Sequence, residues 1–212
     1  MIYALAAALA AYLIGSLSFA VIVSRLMGLS DPRSYGSKNP GATNVLRSGS
    51  KKAAVLTLLL DGVKGWLPVA WVAWQGAAFG LEEGAMAAVG LAAFLGHLYP
   101  VFFRFQGGKG VATAAGVLLG VHWLLGLAVL LTWLLVAYLS RYSSLSALIS
   151  ALMAPVFYLL GDRGLWYTDR SVLLMLVVMS VLLIWRHRQN IGNLIRGQES
   201  KIGSKSKAKA KA

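Results

Sequence analysis

Cysteine is absent from the 212 residues, and acidic residues are few: seven Asp and Glu stand against 20 Lys and Arg. The first absence excludes a disulfide-stapled scaffold, a thiolate nucleophile and a Cys-ligated zinc site. Charge of either sign is scarce, at 13% of residues where globular domains carry about 25%. A water-soluble domain of this length needs more polar surface, and a disordered chain would not be 58% hydrophobic. What is left is a small integral membrane protein with a basic side and a net charge of +13.

A bilayer core about 30 Å thick takes about 20 apolar residues per helix. Residues 1–24, 53–78, 85–103, 144–160 and 171–185 meet or approach that length. A further apolar run, 111–139, has no acidic or cationic side chain apart from His122. The first stretch lacks a basic leading region and is too long for a signal peptide, so it reads as a span. Six cations in 25–52 and eight in 186–212 place both segments in the cytoplasm. The linker 80–84, with Glu82 and Glu83 and no cation, suits the outer side. Taken as one span, 111–139 would put the tail outside; as a hairpin turning near 120–126 it returns the tail inside. Its 29 residues give about 43 Å of helix, too little for two full spans, so two short arms sheltered within the bundle are expected. The predicted fold is therefore an all-α, polytopic membrane bundle of about seven passes, N-terminus outside and C-terminus cytoplasmic. A single domain covers 1–200, and 201–212 is expected to be a basic, disordered tail beside anionic headgroups.

Three cytoplasmic segments are richer than a loop requires. Ser34–Arg47 packs Gly, Ser, Asn and Thr around Lys38 and Arg47, a supply of amide and hydroxyl donors able to wrap an anion, or a flexible polar connection. Residues 104–113 set Gly107, Gly108 and Gly110 around Lys109 just before an apolar helix. That is a phosphate-site design, though not a Walker A loop, and equally the composition of an ordinary turn. Residues 187–199 begin with His187 at a span end, an acid/base group, a phosphate ligand or part of a basic stop. Within the second span Asp61 and Lys64 lie three apart, on one helix face, and read as a structural ion pair. His97 reads as a structural hydrogen-bonder, and His122 is given no role. Tryptophans and tyrosines near span ends read as interfacial anchors. Together the three segments suggest one anion pocket at the membrane surface. Only Asp31 and Glu199 are acidic on that side, which argues against glycosidase-type acid/base chemistry and an all-carboxylate metal site.

The runs 36–47, 97–113 and 187–199, with Leu60-Asp61-Gly62-Val63-Lys64-Gly65, resemble the bacterial acyl-phosphate-dependent glycerol-3-phosphate acyltransferases, in order and over residues 1 to about 200. Asn193 departs from that pattern, which has a cation there; Arg196 or Arg188 would substitute. The resemblance implies attack of the 1-hydroxyl of glycerol 3-phosphate on an acyl phosphate, giving 1-acylglycerol 3-phosphate (lysophosphatidate) and phosphate, in the bacterial inner membrane. Both substrates, and membrane lipids, are the implied partners; nucleic acid, cofactor and metal are not. Ser37, Arg47, Lys109, His187 and Asn190 are the implied catalytic residues. Lys38, Asn39, Gly41, Thr43, Asn44, Gly107, Gly108, Gly110, Thr113 and Arg188 are the implied binding residues. Lys109 and the amides of 107–110 would hold one phosphate; Ser37, Thr43, Asn44 and Arg47 the other head group or the developing oxyanion; His187 and Asn190 the glycerol hydroxyl. The base is His187 or a substrate phosphate oxygen. Because an acyl phosphate is already activated, direct transfer without an acyl-enzyme is expected. Glu199 is assigned to anchoring the tail to a cation. A transporter of organic phosphates fits the broken 111–139 run and the buried charges, but the sequence shows no inverted repeat. A lipid-holding scaffold explains the charge but not the Ser, Asn and Gly.

Overall fold

The computed structural model describes residues 1–203; residues 204–212, most of the expected tail, lie outside the described part. Ten α-helices follow one another with no β-strand among the described residues. They are α1 (Ile2–Gly15), α2 (Phe19–Leu26), α3 (Ala42–Leu46), α4 (Lys51–Gln75), α5 (Glu83–Leu98), α6 (Val111–Val121), α7 (Trp123–Ser140), α8 (Ser143–Leu160), α9 (Arg170–Arg186) and α10 (Arg188–Ile195). Helices α4 and α5, each with its short 3-10 extension, and α7 and α8 are long and apolar enough to cross a membrane. The pairs α1–α2 and α9–α10, bent by 42° and 58°, reach spanning length only when each pair is counted together.

Contacts between segment ends sort the chain onto two ends of the bundle. At one end Arg47 reaches Ser200, Arg186 reaches the Gly107 carbonyl, and Ile202 bonds to Arg141. At the other, Tyr3 packs on Phe79 and His122 on Trp166. Because α6 starts and α7 ends at the first of these, 111–139 is a hairpin. Its arms differ from the expected pair of short helices: α6 is short, but α7 has 18 residues and is of spanning length. The turn is tighter than the Gly120–Gly126 interval suggested. His122 alone is extended (φ −158°), and its Nδ1 accepts the Leu124 amide to cap α7, so few residues are lost to the turn.

Helix α6 is sheltered by α4, against which it runs parallel. Gly62 faces Ala112 and Gly116, Gly65 faces Thr113, and Gly120 faces Trp66 and Val69. A Cβ at Gly65 or Gly116 would strike the backbone of the other helix, so these glycines permit backbone contact. The largest fully buried side chains, Phe94 and Leu98 on α5, Leu125 on α7 and Leu176 on α9, belong to one hydrophobic core. At the break between α1 and α2, Leu17 loses a helical partner for its carbonyl, and the Lys64 ammonium donates to it at 2.7 Å. Lys64 also pairs with Asp61 at 2.8 Å, the expected ion pair. A polar break deep in an apolar bundle is thereby satisfied from a neighbouring helix.

Candidate active site

The first loop is organised by one buried side chain. Asn44 donates to the carbonyls of Pro32 and Tyr35, at 2.6 and 3.2 Å, and accepts the Ser37 amide at 3.0 Å. Gly36, at φ +57°, passes where a Cβ would meet the Asn44 amide oxygen. Arg33 clamps Asp31 at 2.6 Å and holds its carboxyl below the usual carboxylate range. Gly41 is extended, so α3 begins at Ala42 and presents Thr43 and then Arg47. Both are exposed, as is Ser37.

The glycine turn is held from three sides. The Gly108 amide donates to the His97 carbonyl at 3.1 Å, while Arg186 donates to the carbonyls of Gly107 (2.7 Å) and Gly108 (3.1 Å). The space a Cβ would need at 107 is filled by the His97 and Leu98 carbonyls, at 108 by the His97 ring and the Pro40 carbonyl, and at 110 by Phe94. These glycines admit protein rather than ligand. Lys109 is carried past this packing toward the cavity. Beneath the turn, Thr113 Oγ1 lies 3.1 Å from His97 Nδ1, which is 3.6 Å from Asp61 Oδ1.

The third segment enters at the bend between α9 and α10. His187 is buried, and its Nδ1 lies 2.8 Å from the Leu183 carbonyl. A carbonyl only accepts, so Nδ1 carries the proton and the lone pair of the neutral ring is on Nε2. One turn on, Asn190 accepts from the Lys109 ammonium and donates to Glu199 Oε1 at 2.7 Å, which also accepts from Ser144 Oγ at 2.7 Å. Burial pulls the Lys109 pKa down to about 8; Arg47 and Arg186 act in the same direction and Glu199 against it.

A cavity of about 610 Å³ joins these parts. Ser37, Asn39, Gly41, Thr43, Asn44, Arg47, Lys109, Gly110, His187 and Asn190 line its polar end, from all three segments. The remainder is an apolar groove bounded by α4, α6, α7, α8 and α9. Five of the expected binding residues are not on this wall. Lys38 is exposed on the loop at φ +55°, Gly107 and Gly108 are packed against α5, Thr113 is spent on His97, and Arg188 lies over the Trp185 ring at 5.1 Å. Glu199 meets a hydroxyl and an amide rather than forming an ion pair. Arg186 and Ser144 complete the site unanticipated. An arginine at a span end reads as orientation charge, and a serine opening an apolar helix reads as a cap.

A family model described as glycerol-3-phosphate acyltransferase matches residues 5–197. The chain belongs to the glycerol-3-phosphate acyltransferase family. The family's enzyme of that name from Albidiferax ferrireducens is 62% identical over 210 residues, covering 99% of this chain and 94% of the relative. That from Burkholderia cenocepacia (strain J2315) is 64% identical over 208 residues, covering 97% and 94%. The crystal structure of PlsY (YgiH), an integral membrane glycerol 3-phosphate acyltransferase, in its glycerol 3-phosphate form is similar with a TM-score of 0.86. It is 40% identical, covering 95% of this chain and 96% of that one. Its lysophosphatidic acid form gives a TM-score of 0.84 at 39% identity, covering 94% and 95%. The chain is thus an integral membrane acyltransferase of this family, which sets aside the transporter and the scaffold.

Proposed function

We propose that the protein transfers the acyl group of an acyl phosphate to the 1-hydroxyl of glycerol 3-phosphate, giving lysophosphatidate and phosphate, at the cytoplasmic face of the bacterial inner membrane. The observation that carries this reading is one cavity with two characters: a cationic, amide-rich mouth and a long apolar groove behind it. A lipid-chain donor with a phosphate head needs both, and the forms of PlsY with glycerol 3-phosphate and lysophosphatidic acid supply the acceptor and the product class. The cytoplasmic assignment follows from the cations gathered at the mouth end.

In this mechanism Lys109 and Arg47 hold the two phosphates, and Asn190, tied to both Lys109 and Glu199, keeps the ammonium in place. The glycerol hydroxyl oxygen attacks the acyl carbon, the carbon–oxygen bond to phosphate breaks, and phosphate leaves with the electron pair. The hydroxyl proton passes to a phosphate oxygen of the substrate or to His187 Nε2, the nitrogen left free by the bond to Leu183. Ser37 and the neighbouring Thr43 hydroxyl face the oxyanion that develops on the acyl carbonyl. No acyl-enzyme forms, because the mixed anhydride is already activated.

Purified protein mixed with glycerol 3-phosphate and palmitoyl phosphate should release phosphate and form lysophosphatidate. No turnover with acyl phosphate, together with turnover of a thioester donor, would overturn the donor assignment. A stable labelled acyl group on Ser37 would overturn direct transfer.

A further inference from the structure

The groove has a floor, and its position gives the protein a measure of chain length. On α8 the lining residues run from Ser143 through Ala147 and Ala151 to Ala154 and stop there. On α6, α7 and α9 the deepest lining residues are Leu118, Val129 and Leu176, all buried. Below Ala154 the next turn of α8 brings Tyr158, 4% exposed, its ring stacked 5.9 Å from Trp166 and its hydroxyl accepting the Asp169 amide at 3.1 Å. That level is closed by a ring and a hydrogen-bonded loop rather than by movable aliphatic ends.

The depth is telling. Eleven residues of α8 separate Ser143 from Ala154, about 16 Å at 1.5 Å per residue. A hydrocarbon core of about 30 Å holds two layers of chains, so one leaflet is about 15 Å deep. The walls are apolar in effect, since Ser150 Oγ donates to the Val129 carbonyl (3.4 Å) and Ser180 Oγ to the Ala151 carbonyl (2.6 Å). The groove opens sideways along its length between exposed residues of α4 (Val55, Leu58) and α7 (Leu134 and, at the level of Val129, Leu130), so a chain enters from the bilayer and its far end comes to rest on the floor.

We propose that Ala154 is the specificity-determining residue for acyl-chain length, its small side chain setting the floor so that the groove accepts a chain as long as one membrane leaflet is deep. This rests on the acyl-transfer reading above. Ala154→Phe raises the floor, so the last methylenes of a long chain meet a ring where there was space. The kcat/KM ratio of hexadecanoyl to decanoyl phosphate should therefore fall about tenfold, the scale of overpacking a closed wall. Ala154→Leu gives a smaller fall, and Leu118→Ala, which deepens the floor, raises the ratio of octadecanoyl to hexadecanoyl phosphate; these two decide the matter if the Phe variant does not fold. Leu152→Phe, on the lipid-facing side of α8, leaves the ratios unchanged. Turnover of both chains with ratios unmoved by the Ala154 and Leu118 variants overturns the ruler alone. No turnover of either chain by the unaltered protein overturns the transfer reading, and the ruler with it.

Discussion

Lys109 is the residue on which the electrostatics of the site turn. With a pKa of about 8 rather than 10.5, it titrates at mildly alkaline pH. Below pH 8 the ammonium is charged and phosphate binding is at full strength; above it the proton is lost. KM for the phosphate-bearing substrates should rise as pH passes 8, approaching tenfold per pH unit, in initial-rate measurements from pH 6.5 to 9.5. Glu199 raises the Lys109 pKa, so Glu199→Gln should move that midpoint to lower pH. The importance of Lys109 is legible in the sequence, because a lysine among glycines before an apolar helix is a recognisable pattern. What the glycines do is not. Gly107 and Gly108 make room for His97, Leu98 and Pro40, and packing partners 10 and 68 positions away leave no local mark. Thr113 and Arg188 stand off the cavity wall for the same reason: their partners, His97 and Trp185, are chosen by the fold.

Between elements, contact rests on small residues and on one lysine, ion-paired within α4, that reaches the α1–α2 break. Gly116→Val in α6 would drive a branched side chain into the Gly62 carbonyl of α4, and a loss of at least about 2 kcal/mol is expected, measured as a fall in thermal unfolding temperature in detergent. Asp61→Asn leaves the Lys64 ammonium buried and unpaired, which should cost about 3–5 kcal/mol. The double variant Asp61→Asn/Lys64→Met should recover part of that loss in the same assay, short of full stability because the Leu17 carbonyl at the α1–α2 break then keeps only the Phe19 amide. The pairing of Asp61 with Lys64 is legible from their spacing of three. The break that Lys64 caps is not, since residues 16–18 sit inside a stretch of spanning length and serines are common within membrane helices. The hairpin is legible from charge parity, whereas the unequal length of its arms depends on how tightly His122 turns the chain.

For the whole molecule, the absence of cysteine makes sidedness easy to test. A single cysteine introduced at Lys38, on the exposed first loop, should react with a membrane-impermeant maleimide only in inverted vesicles. One at Glu82, exposed at the other end of the bundle, should react only in intact spheroplasts. The reverse pattern would refute the cytoplasmic assignment of the site.

The segment from Gln198 to Ile202 belongs to none of the spanning helices, yet it ties Asn190, Ser144, Arg47 and Arg141 together. The bond from Arg47 to Ser200 links positions 153 apart in the chain. Synthesis is directional, so every span can be threaded into the bilayer while Arg47 still lacks its last neighbour. A partly made chain, or one cut before residue 198, would have membrane helices but an unfinished active site.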